Sequence, residues 1–271
     1  MRIIRIVVSV LFIIVLGAYI FFHFTKSTDN TVPTLKCDTS VIEISVNDTN
    51  EALLKHITAF DEKDGDISKN VLVEKTSAFV DSGKLIATFA VSDNDNNVSK
   101  INVPVVYTDY KHPVFELSDD LVFKTGYGVS VEDCIKVKDS LDGDITDRLV
   151  VIDNGADIET NGKYPLTLKV TNSKSFTYTM DINLIMTENL ESGYGLELKK
   201  YLIYKKVGEK VDYDDMIKSV AAPPVGDKKS KIKIDSAEVD PSTPGIYNVY
   251  YYQTLDGQNM SMTRLIICYE D

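Results

Sequence analysis

The chain has no tryptophan, only three cysteines and only three histidines among 271 residues. Lacking tryptophan, it cannot carry the antibody-type core of one tryptophan packed on a cysteine pair. Cys37, Cys134 and Cys268 are far apart in sequence, and no CxxC or histidine–cysteine group hints at zinc or redox chemistry. The three thiols read as small buried hydrophobes. His23, His56 and His112 are scattered, and P-loop, Gly-x-Ser-x-Gly and His-Glu-x-x-His motifs are missing. Ser230-Lys231-Ile232-Lys233 fits Ser-x-x-Lys only by chance in a lysine-rich stretch. The expectation is a protein that is not an enzyme and has no catalytic residues. A positive charge excess is also lacking: net charge is −12. Nucleic acid is therefore a poor partner, and so is an anionic bilayer surface.

Long apolar runs are absent too, with one exception. Residues 6–22 are apolar apart from Ser9 and Gly17, and Arg2 and Arg5 precede them. A helix through this run rises roughly 26 Å, enough with its flanks to approach a bilayer core of about 30 Å. The run ends in bulky residues, Tyr19-Ile20-Phe21-Phe22, where a cleaved signal peptide needs small ones. No lipobox precedes Cys37. The reading is a cytoplasmic stub and single transmembrane anchor over residues 1–27, with the rest outside the plasma membrane.

What the chain does contain is a sentence stated twice. Asp61-Glu62-Lys63-Asp64-Gly65-Asp66-Ile67 returns as Asp139-Ser140-Leu141-Asp142-Gly143-Asp144-Ile145. Gly83-Lys84-Leu85 follows the first copy, and Gly162-Lys163-Tyr164 follows the second. A third such strand opens at Gly245-Ile246-Tyr247. Matching landmarks at a fixed period mean tandem modules. Boundaries at 28–110, 111–189 and 190–271 give three domains, each long enough for a small core.

Period-2 alternation dominates: Ile101, Val103, Val105 and Tyr107; Tyr164, Leu166, Leu168 and Val170; Met180, Ile182, Leu184 and Met186; Tyr247, Val249 and Tyr251. Turn signals separate the runs, among them Asp81-Ser82-Gly83, Asp93-Asn94-Asp95-Asn96-Asn97, Asp153-Asn154-Gly155 and Asp256-Gly257. Short alternating strands with such turns predict all-β sandwiches. Single helical turns are expected near 51–60, 131–135 and 213–220. Short linkers predict a semi-rigid rod.

These landmarks resemble the bacterial immunoglobulin-like repeat of Gram-positive surface proteins, also present in a pesticidal crystal toxin. Pro33 and Pro113 match its proline-led first strand. The two acidic segments match its Asp-x-x-Asp-Gly-Asp-Ile, and Gly162-Lys163-Tyr164 and Gly245-Ile246-Tyr247 match its Gly-x-Tyr. The loops at Asp93–Asn97 and Asp256–Asn259 approximate its closing turn. Departures are Leu85 in place of tyrosine, Thr171-Asn172-Ser173 in place of an acidic turn, and Tyr213-Asp214-Asp215-Met216 where the third module needs the acidic segment. The resemblance implies three tandem immunoglobulin-like sandwiches at a cell surface and no single activity.

Asp61, Asp64, Asp66, Asp139, Asp142 and Asp144 are candidate metal ligands, because clustered carboxylates suit Ca²⁺. Their spacing is not that of an EF-hand, and Asp side chains capping turn N–H groups explain it without a metal. The turn is preferred, with weak surface Ca²⁺ as the alternative and no other cofactor. Nine of the fifteen tyrosines fall in 190–271. By parity, Tyr250 and Tyr252 face away from Tyr251 and could stack on a glycan; cross-strand aromatic pairing is the plainer reading. Ten lysines in 190–271, including Lys199, Lys200, Lys205, Lys206 and Lys228–Lys233, are a solvated face or a contact for an anionic envelope polymer.

The expected function is a non-catalytic, membrane-anchored rod that presents a protein-interaction or adhesion surface. Binding of cell-wall or host glycans through the third domain is the alternative, and an accessory subunit of an envelope enzyme is weaker. The partner is an unnamed envelope or host protein or glycan.

Overall fold

The computed structural model describes residues 2–25, 30–153, 155–223 and 229–271. Helix α1 covers Arg2–Thr25. Its described side chains from residue 6 to residue 21 are all exposed and nearly all apolar. That stretch rises only about 24 Å, and among the described residues no helix is long and apolar enough to cross a membrane. The expected span is therefore not shown. Asn154 and Lys228, named above, lie outside the described residues.

The contacts divide the chain into two compact units, not three. The first holds Met1–Ser77 and Lys84–Tyr107; the second holds Ala78–Gly83 and Thr108–Asp271. In the first, strands follow one another as β1 (Thr34–Cys37), β2 (Ile42–Ile44), β3 (Ile57–Asp61), β4 (Gly65–Asp66), β5 (Leu72–Thr76), β6 (Lys84–Ser92) and β7 (Val98–Tyr107), with the short helix α2 (Asn50–Leu54) before β3. One sheet has the order β1-β3-β4 and the other β2-β7-β6-β5, with β2 parallel to β7. Ile57 and Ala59 of one sheet and Ile42, Leu85, Ala87, Phe89, Val103 and Val105 of the other are buried. Each large apolar side chain so buried contributes about 1.5–3 kcal/mol. Pro33 is buried just before β1, a place where its missing N–H costs no ladder bond.

The second unit repeats this plan twice. Its first half has β8 (Val114–Leu117), β9 (Val122–Lys124), β10 (Ile135–Asp139), β11 (Gly143–Asp144), β12 (Val150–Asp153), β13 (Gly162–Thr171) and β14 (Thr177–Thr187). They form sheets β11-β10-β8 and β12-β13-β14-β9, with β9 parallel to β14. The second half has β15 (Gly195–Leu198), β16 (Leu202–Lys206), β17 (Ile217–Ala221), β18 (Lys231–Asp235), β19 (Gly245–Leu255) and β20 (Gln258–Glu270). Its sheets are β15-β17 and β16-β20-β19-β18, with β16 parallel to β20. A 3-10 turn at Glu132–Cys134 and turns at residues 213–216 stand where single helical turns were expected.

The two halves of this unit are not beads. Leu202, Ile266 and Cys268 belong to the same buried cluster as Phe115, Leu168, Met180 and Ile182, with Tyr204 and Ile246 packed against it. On β20, Leu265, Ile267 and Tyr269 fill the core beneath Leu196 and Leu198, while the alternate residues Ile266 and Cys268 meet the other half. The strand is buried on both faces, so its apolar run is continuous. Of the cysteines only Cys268 is buried; Cys37 and Cys134 are half-buried.

Candidate functional site

The acidic segments are turns, and each clips its sandwich to a distant loop. Asp61 Oδ1 accepts the N–H groups of Lys63 and Asp64, both at 2.9 Å. Asp139 Oδ1 accepts those of Leu141 at 2.7 Å and Asp142 at 2.9 Å. Gly65 and Gly143 follow with φ of 75°, which a side chain would strain. Asp66 and Asp144 accept from Ser68 and Thr146 at the next turn. Those bonds hold both carboxyls below their ordinary range. All six candidate aspartates thus cap backbone donors or hold a loop.

Asp64 and Asp142 make the long-range clip. Asp64 accepts the backbone N–H and the side-chain amide of Asn94, each at 2.8 Å. Asp142 accepts the N–H and hydroxyl of Ser173, each at 2.6 Å, and Arg148 at 2.7 Å. Burial pushes the Asp142 carboxyl up, but these donors outweigh it and leave it lowered. The loops that receive the clip are alike: Asp93 Oδ1 accepts the N–H groups of Asp95 and Asn97, and Asn172 Oδ1 accepts those of Lys174 and Phe176. Asn96 and Ser175 carry positive φ at matching places. Thr171-Asn172-Ser173 is therefore the same turn in different residues.

The third module does not carry its short acidic stretch at the place of the acidic segment. β17 pairs with β15 as β10 pairs with β8, so Tyr213-Asp214-Asp215-Met216, which precedes β17, answers to the turn before β10. There Asp212 caps the N–H groups of Asp214 and Asp215. The place after β17 includes residues 224–228, outside the described residues. Instead of a clip loop, β19 and β20 join through Asp256 and Gly257, both at positive φ, a two-residue hairpin.

Gly-x-Tyr has a steric cause. The Tyr164 ring folds back over Gly162, where a Cβ would meet it at 3.1 Å, and its hydroxyl donates to Thr160 O at 2.9 Å. Tyr247 does the same over Gly245 and donates to Thr243 O at 3.2 Å. This is a tyrosine corner, its hydroxyl reaching back to a carbonyl just before the strand that carries it.

Parity placed Tyr250 and Tyr252 on the face opposite Tyr251, but that face is not open. Tyr250 is 6% exposed and packs on Val122 and Ile185, with Tyr252, Leu190 and Met262 around them. Lys163 lies 4.6 Å from the Tyr250 ring centre, so the ring already carries a cation–π contact. Tyr250 offers no free face for a sugar.

Beside it runs a polar seam that sequence reasoning missed. Arg264 is 1% exposed and donates to Asn183 O at 2.6 Å. Its Nε and Nη1 have no partner among the described residues, and Thr263 and Tyr250 reach Asp120 and Lys163 beside it. Burial pulls the Arg264 guanidinium down to about 10 and pushes the nearby Asp120 carboxyl up to about 6. The available signal was Arg264 preceding the uninterrupted run Leu265-Ile266-Ile267-Cys268-Tyr269.

A cavity of about 560 Å³ lies between β8 and β16 and is lined by Phe115, Leu117, Tyr204, Lys199, Lys200 and Lys205, among others. Lys199 and Lys205 are already paired with Asp215 and Glu209. Among the described residues, no three histidine, cysteine, aspartate or glutamate side chains converge to hold a metal.

No known protein family matches the chain, and no curated protein matches it in sequence. Several solved structures are similar. One holds the CBM51-2 and INT domains of Clostridium perfringens ZmpB with GlcNAc, 19% identical, TM-score 0.24, over 55% of this chain and 26% of that one. A second is the lipoprotein BT2262 of Bacteroides thetaiotaomicron, 14% identical, TM-score 0.23, over 57% of this chain and 98% of the other. A third is Drosophila N-cadherin EC1-4, 10% identical, TM-score 0.24, over 89% of this chain and 76% of the other. The chain thus spans about a quarter of the Clostridium chain. At such TM-scores these likenesses carry no argument about activity.

Proposed function

We propose that the protein is a non-catalytic, membrane-tethered surface protein that spaces or presents an interaction surface outside the cell, built from three modules of the bacterial immunoglobulin-like kind. The observation that carries this reading is where the chemistry-bearing residues are spent. Asp61, Asp64, Asp66, Asp139, Asp142 and Asp144 hold turns and clips, and Tyr250, Arg264 and Cys268 lie in the contact between two halves of one unit. Side chains devoted to holding sheets together fit a spacer. The exposed apolar side chains of α1 support a lipid tether, and the net charge of −12 suits a body held off an anionic bilayer.

The test is fractionation of cells expressing the full chain. The protein is expected to stay with membranes through alkaline carbonate and to be trimmed by external protease. Release by carbonate, or protection from protease in intact cells, would overturn the reading. The glycan alternative through Tyr250 and Tyr252 draws no support from the geometry.

A further inference from the structure

The two clips differ at one buried position. In the second unit Asp139 Oδ2 is satisfied: the Tyr110 hydroxyl and the Asn172 amide each approach it at 3.3 Å. In the first unit the matching residue is Asp61, 2% exposed, and its Oδ2 has no hydrogen-bond partner. Where Asn172 stands in the second unit, the first has Asp93, 7% exposed. The bonds of the two turns are the same, so Asp93 aims its second oxygen where Asn172 aims its amide. That oxygen accepts the Asn97 side chain at 2.7 Å. A donor has been replaced by an acceptor, and Asp61 Oδ2 goes without the bond that Asn172 gives Asp139.

A buried carboxylate oxygen must be paired with a donor or a cation. We propose that the Asp61–Asp93 niche of the first unit binds one hard divalent cation, Ca²⁺ by its preference for carboxylate oxygens. Asp61 Oδ2 and Asp93 Oδ2 are its side-chain ligands, and carbonyl and water oxygens would complete the shell. The second unit, with Asn172, lacks the site. This differs from the exposed aspartates of the turn, because Asp66 and Asp144 are engaged by Ser68 and Thr146.

Isothermal titration of the full chain in detergent with CaCl₂ tests it. One site per chain is expected, with Kd of about 0.1–1 mM, as in extracellular modules. Asp93→Asn, which installs the residue the second unit already folds with, should weaken binding by more than about tenfold while leaving the circular dichroism unchanged. Asp61→Asn should do the same, and Asp66→Asn should not. No saturable heat in the wild type, binding that survives D93N, or binding lost in D66N alone would each overturn the proposal.

Discussion

The last strand of the first unit, β7, keeps one face to the core and one to water, although Ala87–Val91 of its neighbour β6 are buried without a break; the last strand of the second unit, β20, is covered on both faces. Along β7 the pattern alternates, and the residues facing away from the core are exposed or half-buried. Along β20 seven successive residues, Met262 excepted at their edge, are buried, and β14 ends in four buried residues, Leu184 to Thr187. The sheets are built alike, so the difference lies in what covers the outer face. On β20 the second neighbour is the other half of the unit, which Ile266 and Cys268 meet.

Truncation would break that comparison most severely. Removing residues 190–271 strips Leu202, Ile266 and Cys268 from the shared cluster. At about 1.5–3 kcal/mol for each large side chain, the loss to what remains of the second unit is roughly 5 kcal/mol. Urea titration of the shortened chain should show that part unfolding first or already unfolded, with the first unit unchanged. An unaltered midpoint would mean that the halves are independent after all.

Next in size is the buried aspartate of each clip. Asp139→Ala leaves the Tyr110 hydroxyl and two N–H groups without their acceptor, while the Asn172 amide still donates to the Tyr110 oxygen at 2.9 Å, and should cost about 2–3 kcal/mol. Asp61→Ala removes two N–H acceptances but also a buried oxygen that has no partner, so a smaller loss of about 1–2 kcal/mol is expected in metal-free buffer. Equal losses by chemical denaturation would show that the Asp93–Asn172 exchange has no energetic weight.

The seam makes a prediction about pH. Asp120 has a folded pKa of about 6, raised by burial from 3.8. A raised carboxyl favours the protonated folded state, so its stabilisation is fully present below about pH 4 and is lost as pH rises through 6. Between pH 7 and pH 5 the second unit should gain about 1–2 kcal/mol, a gain Asp120→Asn abolishes. A flat profile in the wild type would place Asp120 in water.

The smallest effect concerns the tyrosine corner. A methyl at Gly162 meets the Tyr164 ring at 3.1 Å, so Gly162→Ala should cost about 1 kcal/mol. The double variant with Tyr164→Leu, which copies Leu85 of the first unit, should cost no more than Tyr164→Leu alone. Additive losses in the thermal midpoint would separate the glycine from the ring.

Much of this was legible in the residues. The twin acidic segments located two turns, and alternation located β7, β13, β14 and β19. The clip was not legible, because Asn94 and Ser173 share no side-chain type and are recognised by where their N–H groups point. Nor was the burial of Tyr250, since parity assigns a face and says nothing of what lies against it. The continuous apolar run before the C-terminus did carry that information: alternation lost in a strand is a statement about a second contact.

In each of the three sheet pairs the second strand the chain forms runs parallel to the one by which it leaves: β2 with β7, β9 with β14, β16 with β20. Tension between the two ends of such a pair runs along the strands, and the rungs of the ladder are loaded together in shear instead of being unzipped singly. The β16–β20 pair spans five residue positions, while β2–β7 and β9–β14 span three each. Under a steady pull the last sheet pair is the one built to yield last.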